Sequence, residues 1–160
     1  MNLRVKPLVQ ILQFDEWLVA RAGEALSAED FTRRVEDRGN SYAWIFSHIV
    51  DARYLMARLI GLEGEFPYTE LFVQGAAHPA ASLLPPRAEI EQHWEQVSAR
   101  LIDRLGALTD TDLDADSGRD FPHGDRTVSG GLSLLCLHES YHVGQLGYLR
   151  VLLGHQPVVR

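Results

Sequence analysis

Residues 127–154 read TVSGGLSLLCLHESYHVGQLGYLRVLLG, and their spacing decides the fold. Thr127 is a residue type that caps helices and Gly154 one that stops them, so the stretch predicts one helix of about seven turns. At about 100° per residue, Leu134, Leu135, His138, His142, Gln145, Leu149, Leu152 and Leu153 share one face. That face is expected to look into a core, yet it carries two histidines four apart. Side chains at i and i+4 project side by side, the spacing by which one metal ion takes two imidazoles from one rigid element. Cys136 falls nearly opposite His138 and is expected to pack, not to ligate.

Upstream the same periodicity recurs three times. Leu8, Ile11, Leu12, Leu18, Ala22 and Leu26 mark a helix over residues 5–26, with Asp15 and Glu16 expected where its stripe meets solvent. Ser27-Ala28-Glu29-Asp30 has the form of a cap for one short extra turn, and residues 32–40 predict a charged connector. Asn40 or Ser41 caps a second helix running to Gly61, with Ser41, Trp44, Ile45, His48, Ala52, Leu55 and Leu59 on one face. Pro86 suits the first turn of a third, whose face is Ile90, Trp94, Val97, Leu101, Leu105 and Leu108. His93 flanks that face and is expected at the surface.

Residues 62–86 are rich in Gly and Pro and predict one long crossover, with His78 exposed in it. Residues 109–126 predict a second long loop, in which His123 either overhangs a pocket or is simply solvated. Connections of this length are functional or cross the end of a bundle. Four amphipathic helices without strand alternation predict a single all-α domain over 1–160, a four-helix bundle with long crossover loops.

Composition narrows the function classes. A formal charge of −7 argues against a broad phosphate-neutralising surface, so no nucleic-acid partner is expected. One cysteine rules out an intramolecular disulfide and a cysteine-rich zinc site. No run approaches eighteen uncharged apolar residues, and Asp15 and Glu16 interrupt the N-terminal apolar run. Neither a membrane nor a signal segment is expected, and the reducing cytoplasm is the expected compartment.

With seven histidines, a pair four apart can readily arise by chance, so the pair needs support. His48, at the middle of the second helix's stripe, supplies a third imidazole. Three neutral imidazoles leave one coordination position open, the pattern of a catalytic zinc-type site. His138-Glu139-Ser140-Tyr141-His142 also fits the H-E-x-x-H pattern of zinc proteases, with Glu139 as base. That reading lacks its third ligand: no Glu follows Glu139, and Gln145 and Tyr148 stand where a metzincin has Gly and His.

Two stretches carry a resemblance. Asn40-Ser41-Tyr42-Ala43-Trp44-Ile45-Phe46-Ser47-His48-Ile49 resembles the second-helix signature of the DinB/YfiT-like family. His138-Glu139-Ser140-Tyr141-His142-Val143-Gly144-Gln145-Leu146, with Leu149-Arg150 and Gly154, resembles its last-helix signature, H-x-x-x-H-x-G-Q followed by Leu-Arg and a closing Gly. The resemblance implies a four-helix bundle binding a divalent metal, zinc or nickel, through His48, His138 and His142. It implies a small-molecule substrate, since known relatives include S-transferases using low-molecular-weight thiols such as bacillithiol, and mycothiol-dependent isomerases. Homodimers are common among them.

The expected activity is therefore conjugation of a low-molecular-weight thiol to an electrophilic small molecule. Glu139, Tyr141 and Gln145 are the candidate orienting or proton-transfer residues. Asp51, near one helical turn after His48, is expected either to orient the site from behind the histidines or to be a salt-bridged flank residue. The alternatives are a non-catalytic metal-binding stress-response bundle and a metal-dependent hydrolase.

Overall fold

The computed structural model describes residues 1–35, 39–73 and 79–159. Its helices, in chain order, are α1 (Lys6–Gly23), α2 (Ala28–Thr32), α3 (Tyr42–Leu59), α4 (Arg87–Gly106), α5 (Asp110–Asp114) and α6 (Val128–Leu152). Helices α1, α3, α4 and α6 pack as the expected all-α bundle. Among the described residues no strand forms, only an isolated bridge between Asp116 and Thr127.

The helix starts follow from side-chain caps. Ser41 Oγ accepts from the Trp44 amide at 3.2 Å and Thr127 Oγ1 from the Gly130 amide at 3.0 Å, each meeting an N–H that has no partner within the helix. Ser27 and Asp30 reciprocate across the first turn of α2. Thr109 and Asp112 do the same for α5, which lies inside the stretch expected to be loop. Its Thr-x-x-Asp grammar is that of α2, but one short turn leaves no periodicity to read.

Two buried clusters fix the helix directions. In one, Val5 just before α1, Val9 of α1 and Leu132 and Leu135 of α6 meet the far ends of α3 and α4, at Met56, Ile60, Leu101 and Leu105. In the other, Val19, Ala22, Leu146 and Leu149 meet Tyr42, Phe46, Ile90 and Trp94 from the starts of α3 and α4. Helices α1 and α6 thus run one way and α3 and α4 the other. Since α3 and α4 are consecutive yet parallel, the chain between them returns along a helix of about 30 Å. That return is the long crossover. It packs Phe66, Tyr68, Phe72 and Leu84 against the second cluster.

Several expected faces are corrected. Asp15 is buried and accepts from the Ser140 hydroxyl at 2.7 Å, so the α1 stripe does not meet solvent there, whereas Ile11 is exposed. On α3 the least buried positions are Trp44, His48, Asp51, Leu55, Arg58 and Leu59, largely the stripe expected to be core. The deep core takes Ile49, Val50, Arg53 and Met56, because α4, α6 and the crossover wrap the other sides of α3. On α6, Leu134, His138, His142 and Gln145 are likewise half-buried, while Leu132, Leu135, Glu139, Val143 and Leu146 are buried. The α4 face is as expected: Ile90, Trp94, Val97, Leu101, Leu105 and Leu108 are all buried. No described helix is long and apolar enough to cross a membrane.

Candidate metal centre

The half-buried stripes of α3 and α6 meet at a seam, and the histidines face each other across it. His48 Nε2 lies 3.1 Å from His138 Nε2, which lies 3.2 Å from His142 Nε2. Ligand atoms of all three fall within 4.8 Å of one another, the only such group of three or more His, Cys, Asp or Glu among the described residues.

The donor set fits a metal ion. Two imidazole nitrogens on a tetrahedral zinc stand about 3.3–3.4 Å apart, close to the spacing here. The charge state fits as well. Burial, reinforced by the neighbouring rings, pushes His48 down to about 3, and burial with His142 nearby pushes His138 down to about 4. Burial also lowers His142. All three are therefore neutral at pH near 7 and present lone pairs. Where Nε2 is the unprotonated nitrogen, the lone pairs converge, and without a shared cation they repel one another.

Gln145 settles the tautomer of His142. Its Oε1 accepts from Nδ1 at 2.7 Å, so the proton sits on Nδ1 and Nε2 is left as a donor atom to metal. Nδ1 of His48 and of His138 are buried without a hydrogen-bond partner among the described residues. Aromatic rings wall the site instead: Trp44 stacks on His48 at 5.1 Å, Phe72 from the crossover lies 5.5 Å from it, and Tyr141 meets His142 edge-on at 5.2 Å.

The other expected residues sort by position. Tyr141 is 65% exposed, beside the histidines on the solvent side. Glu139, expected near the edge of the buried face, is fully buried with both oxygens held by Arg53. Asp51 makes no ion pair among the described residues, and instead accepts from Thr69 Oγ1 at 2.6 Å, with burial raising its carboxyl above the usual range. Cys136 packs in the core, where burial pushes its thiol up to about 12. His93 is half-buried against the Tyr54 hydroxyl at 2.9 Å, not at the surface. His123 is exposed and bonds the Gly130 carbonyl, away from the trio. His78 lies outside the described residues.

Residues 18–146 match the profile of the DinB superfamily. The chain belongs to the DinB superfamily. No curated protein matches it. In this DinB-superfamily chain the matched span runs from within α1 almost to the end of α6 and takes in all three histidines. The resemblance seen in the two signatures is thus confirmed at family level. Phe72 and Arg53, by contrast, escaped the sequence reading. The first lies in an irregular crossover, and the second is a charged residue in a helix whose face was assigned from its apolar stripe.

Proposed function

We propose that this DinB-superfamily chain is a metal-dependent enzyme that joins a low-molecular-weight thiol to an electrophilic small molecule, with His48, His138 and His142 holding a divalent cation. The observation that carries the reading is the convergence of three neutral Nε2 atoms at a half-exposed seam, not inside the sealed core. Structural zinc sites use four protein ligands, whereas three leave room for one from outside. Imidazole donors suit zinc and nickel. A cation bound there would make a coordinated thiol or water more acidic, so that thiolate is available near neutral pH.

The chain's own residues supply the rest. Gln145 keeps the His142 proton on Nδ1. Trp44 and Phe72 cover the His48 side with aromatic surface. Tyr141 offers a phenol donor beside the histidines, where an electrophile's leaving group would be met. In the transfer the thiol gives up its proton to solvent, its sulfur bonds to the electrophilic carbon, and the leaving group departs with the bonding electron pair. Glu139 serves as scaffold in this scheme, because its carboxylate is already taken up by Arg53.

The test is metal content of freshly purified protein beside His48→Ala, followed by thiol consumption with a reactive aryl halide. About one equivalent of metal in the wild type and none in the variant, with thiol consumed only by the metallated protein, is the expected result. Metal retained by His48→Ala sinks the three-histidine assignment. Metal lost on substitution but with no thiol turnover favours a binding protein.

The same reading includes a homodimer. Its support is an apolar stripe at helical spacing on the outside of α6, Leu137, Tyr141, Tyr148 and Val151, beside exposed Phe14 and Trp17 of α1. Between the two helices lies a groove of about 760 Å³ floored by Gly144 and Gly147. Contiguous apolar surface of this kind marks association sites.

A further inference from the structure

Arg53 of α3 is wholly buried, and its five N–H groups meet five acceptors. Nε donates to Glu139 Oε2 at 2.9 Å and Nη2 to Glu139 Oε1 at 2.6 Å. Nη1 donates to Glu16 at 2.7 Å and to the Ser98 hydroxyl, and Nη2 to the Leu12 carbonyl at 3.1 Å. The guanidinium carbon also stands 3.7 Å from the centre of the Trp94 ring. One side chain on α3 is thereby bonded to α1, α4 and α6.

Stability alone does not account for this arrangement. Taking two charges out of water is costly, and apolar residues of similar volume commonly serve a core as well or better. What a forked pair does, and an apolar contact does not, is specify one alignment. Two parallel N–H···O bonds allow a single geometry, whereas aliphatic side chains repack.

Alignment is what the histidines require. His48 and Arg53 are five residues apart on α3, about 7.5 Å along its axis, and Glu139 directly follows His138. A one-residue slip of α3 against α6 shifts the helices by about 1.5 Å and turns one by about 100°. That is enough to separate Nε2 atoms now 3.1 Å apart.

We propose that Arg53, through its forked bond to Glu139, is the positioning residue that sets α3 against α6 so that His48 meets His138 and His142. The proposal rests on reading those histidines as metal ligands.

The test replaces the pair together, Arg53→Met with Glu139→Leu, so that Glu139 is not left without its partner; Glu16, whose side chain is 33% exposed, turns to water, and the buried Asp15 keeps its bond from Ser140. Cobalt(II) is the probe, read by competition with a chelator and by its visible absorption, beside helicity and the urea midpoint without metal. The double variant is expected to fold with wild-type helicity and a urea midpoint no lower. Its cobalt affinity is expected to fall about ten- to a hundredfold, as for other residues that orient ligands, with an altered absorption band. Wild-type affinity and band in the folded double variant overturn the proposal. Should the double variant not fold, Glu139→Gln, which keeps the shape but weakens the fork, is expected to lose cobalt affinity several-fold. A lowered urea midpoint with unchanged affinity then makes the pair merely structural and overturns the proposal. Wild-type cobalt binding that does not depend on His48 defeats the metal reading itself, and is seen before Arg53 is touched.

Discussion

Gln145 holds a proton on one nitrogen of His142 and thereby commits the other to the seam. Gln145→Leu is expected to weaken metal affinity about ten- to a hundredfold without unfolding the bundle, because such outer partners fix ring orientation and basicity. Competition against a chromophoric chelator measures it, and wild-type affinity would remove Gln145 from the site. The histidines also predict a pH dependence. In the unfolded chain they titrate near about 6.5, but in the fold His48 sits near 3 and His138 near 4. As pH falls below about 6.5 the unfolded chain takes up protons that the folded chain refuses, so the metal-free fold loses stability until pH falls through about 4 to 3. Above about 6.5 these groups add no slope. Urea titrations of chelator-treated protein at about pH 7 and about pH 5 are expected to show a lower midpoint at the acid value, by less in His48→Phe. At this scale much of the site was legible, since imidazoles at i and i+4 have few other uses on an apolar stripe. Arg53 was not. Its partners come from three other helices, and no local pattern announces a residue whose neighbours are 37 to 86 positions away.

Helix α6 begins under tight constraint. Glycine inside a helix normally costs about 1 kcal/mol relative to alanine, so Gly131→Ala should on propensity alone stabilise. Here a Cβ would stand 2.6 Å from the Phe121 ring and 2.7 Å from Leu59. The expected outcome is a net loss of about 1–3 kcal/mol, the range for overpacking, measured by urea unfolding. A gain in stability would mean that Phe121 swings away freely. Thr127→Ala is expected to cost about 1 kcal/mol through the lost cap on the Gly130 amide. Elements of this kind were readable, because caps and stops are local chemistry. Their faces were less so. Periodicity gives the angle at which Trp44, His48 and Leu55 lie, but not what covers the opposite side of α3. Where helices α4 and α6 and the crossover wrap it, the apolar stripe ends up as the seam. The histidines accordingly lie at a half-buried seam and not in the sealed core.

Over the whole molecule, the stacked pair Phe14 and Trp17 and the outer stripe of α6 leave aromatic rings in water. If a second copy covers them, Phe14→Glu combined with Tyr148→Asp is expected to halve the mass seen by light scattering while leaving helicity intact. A monomeric wild type at tens of micromolar would remove the homodimer. The parallel course of α3 and α4 was implicit in the length of the crossover, since no short loop returns a chain along a helix.

The wide separation of the proposed ligands has a consequence in time. His48 and His138 are 90 positions apart, and at about 5–20 residues per second a ribosome needs about 5–18 s to add the second after the first. Throughout that interval His48 is a lone imidazole, with no grip to compete for scarce cations. If the three histidines hold a cation as proposed, the nascent chain does not select its ion during synthesis; loading waits for α6, and occupancy reports the ions at hand once that helix has docked.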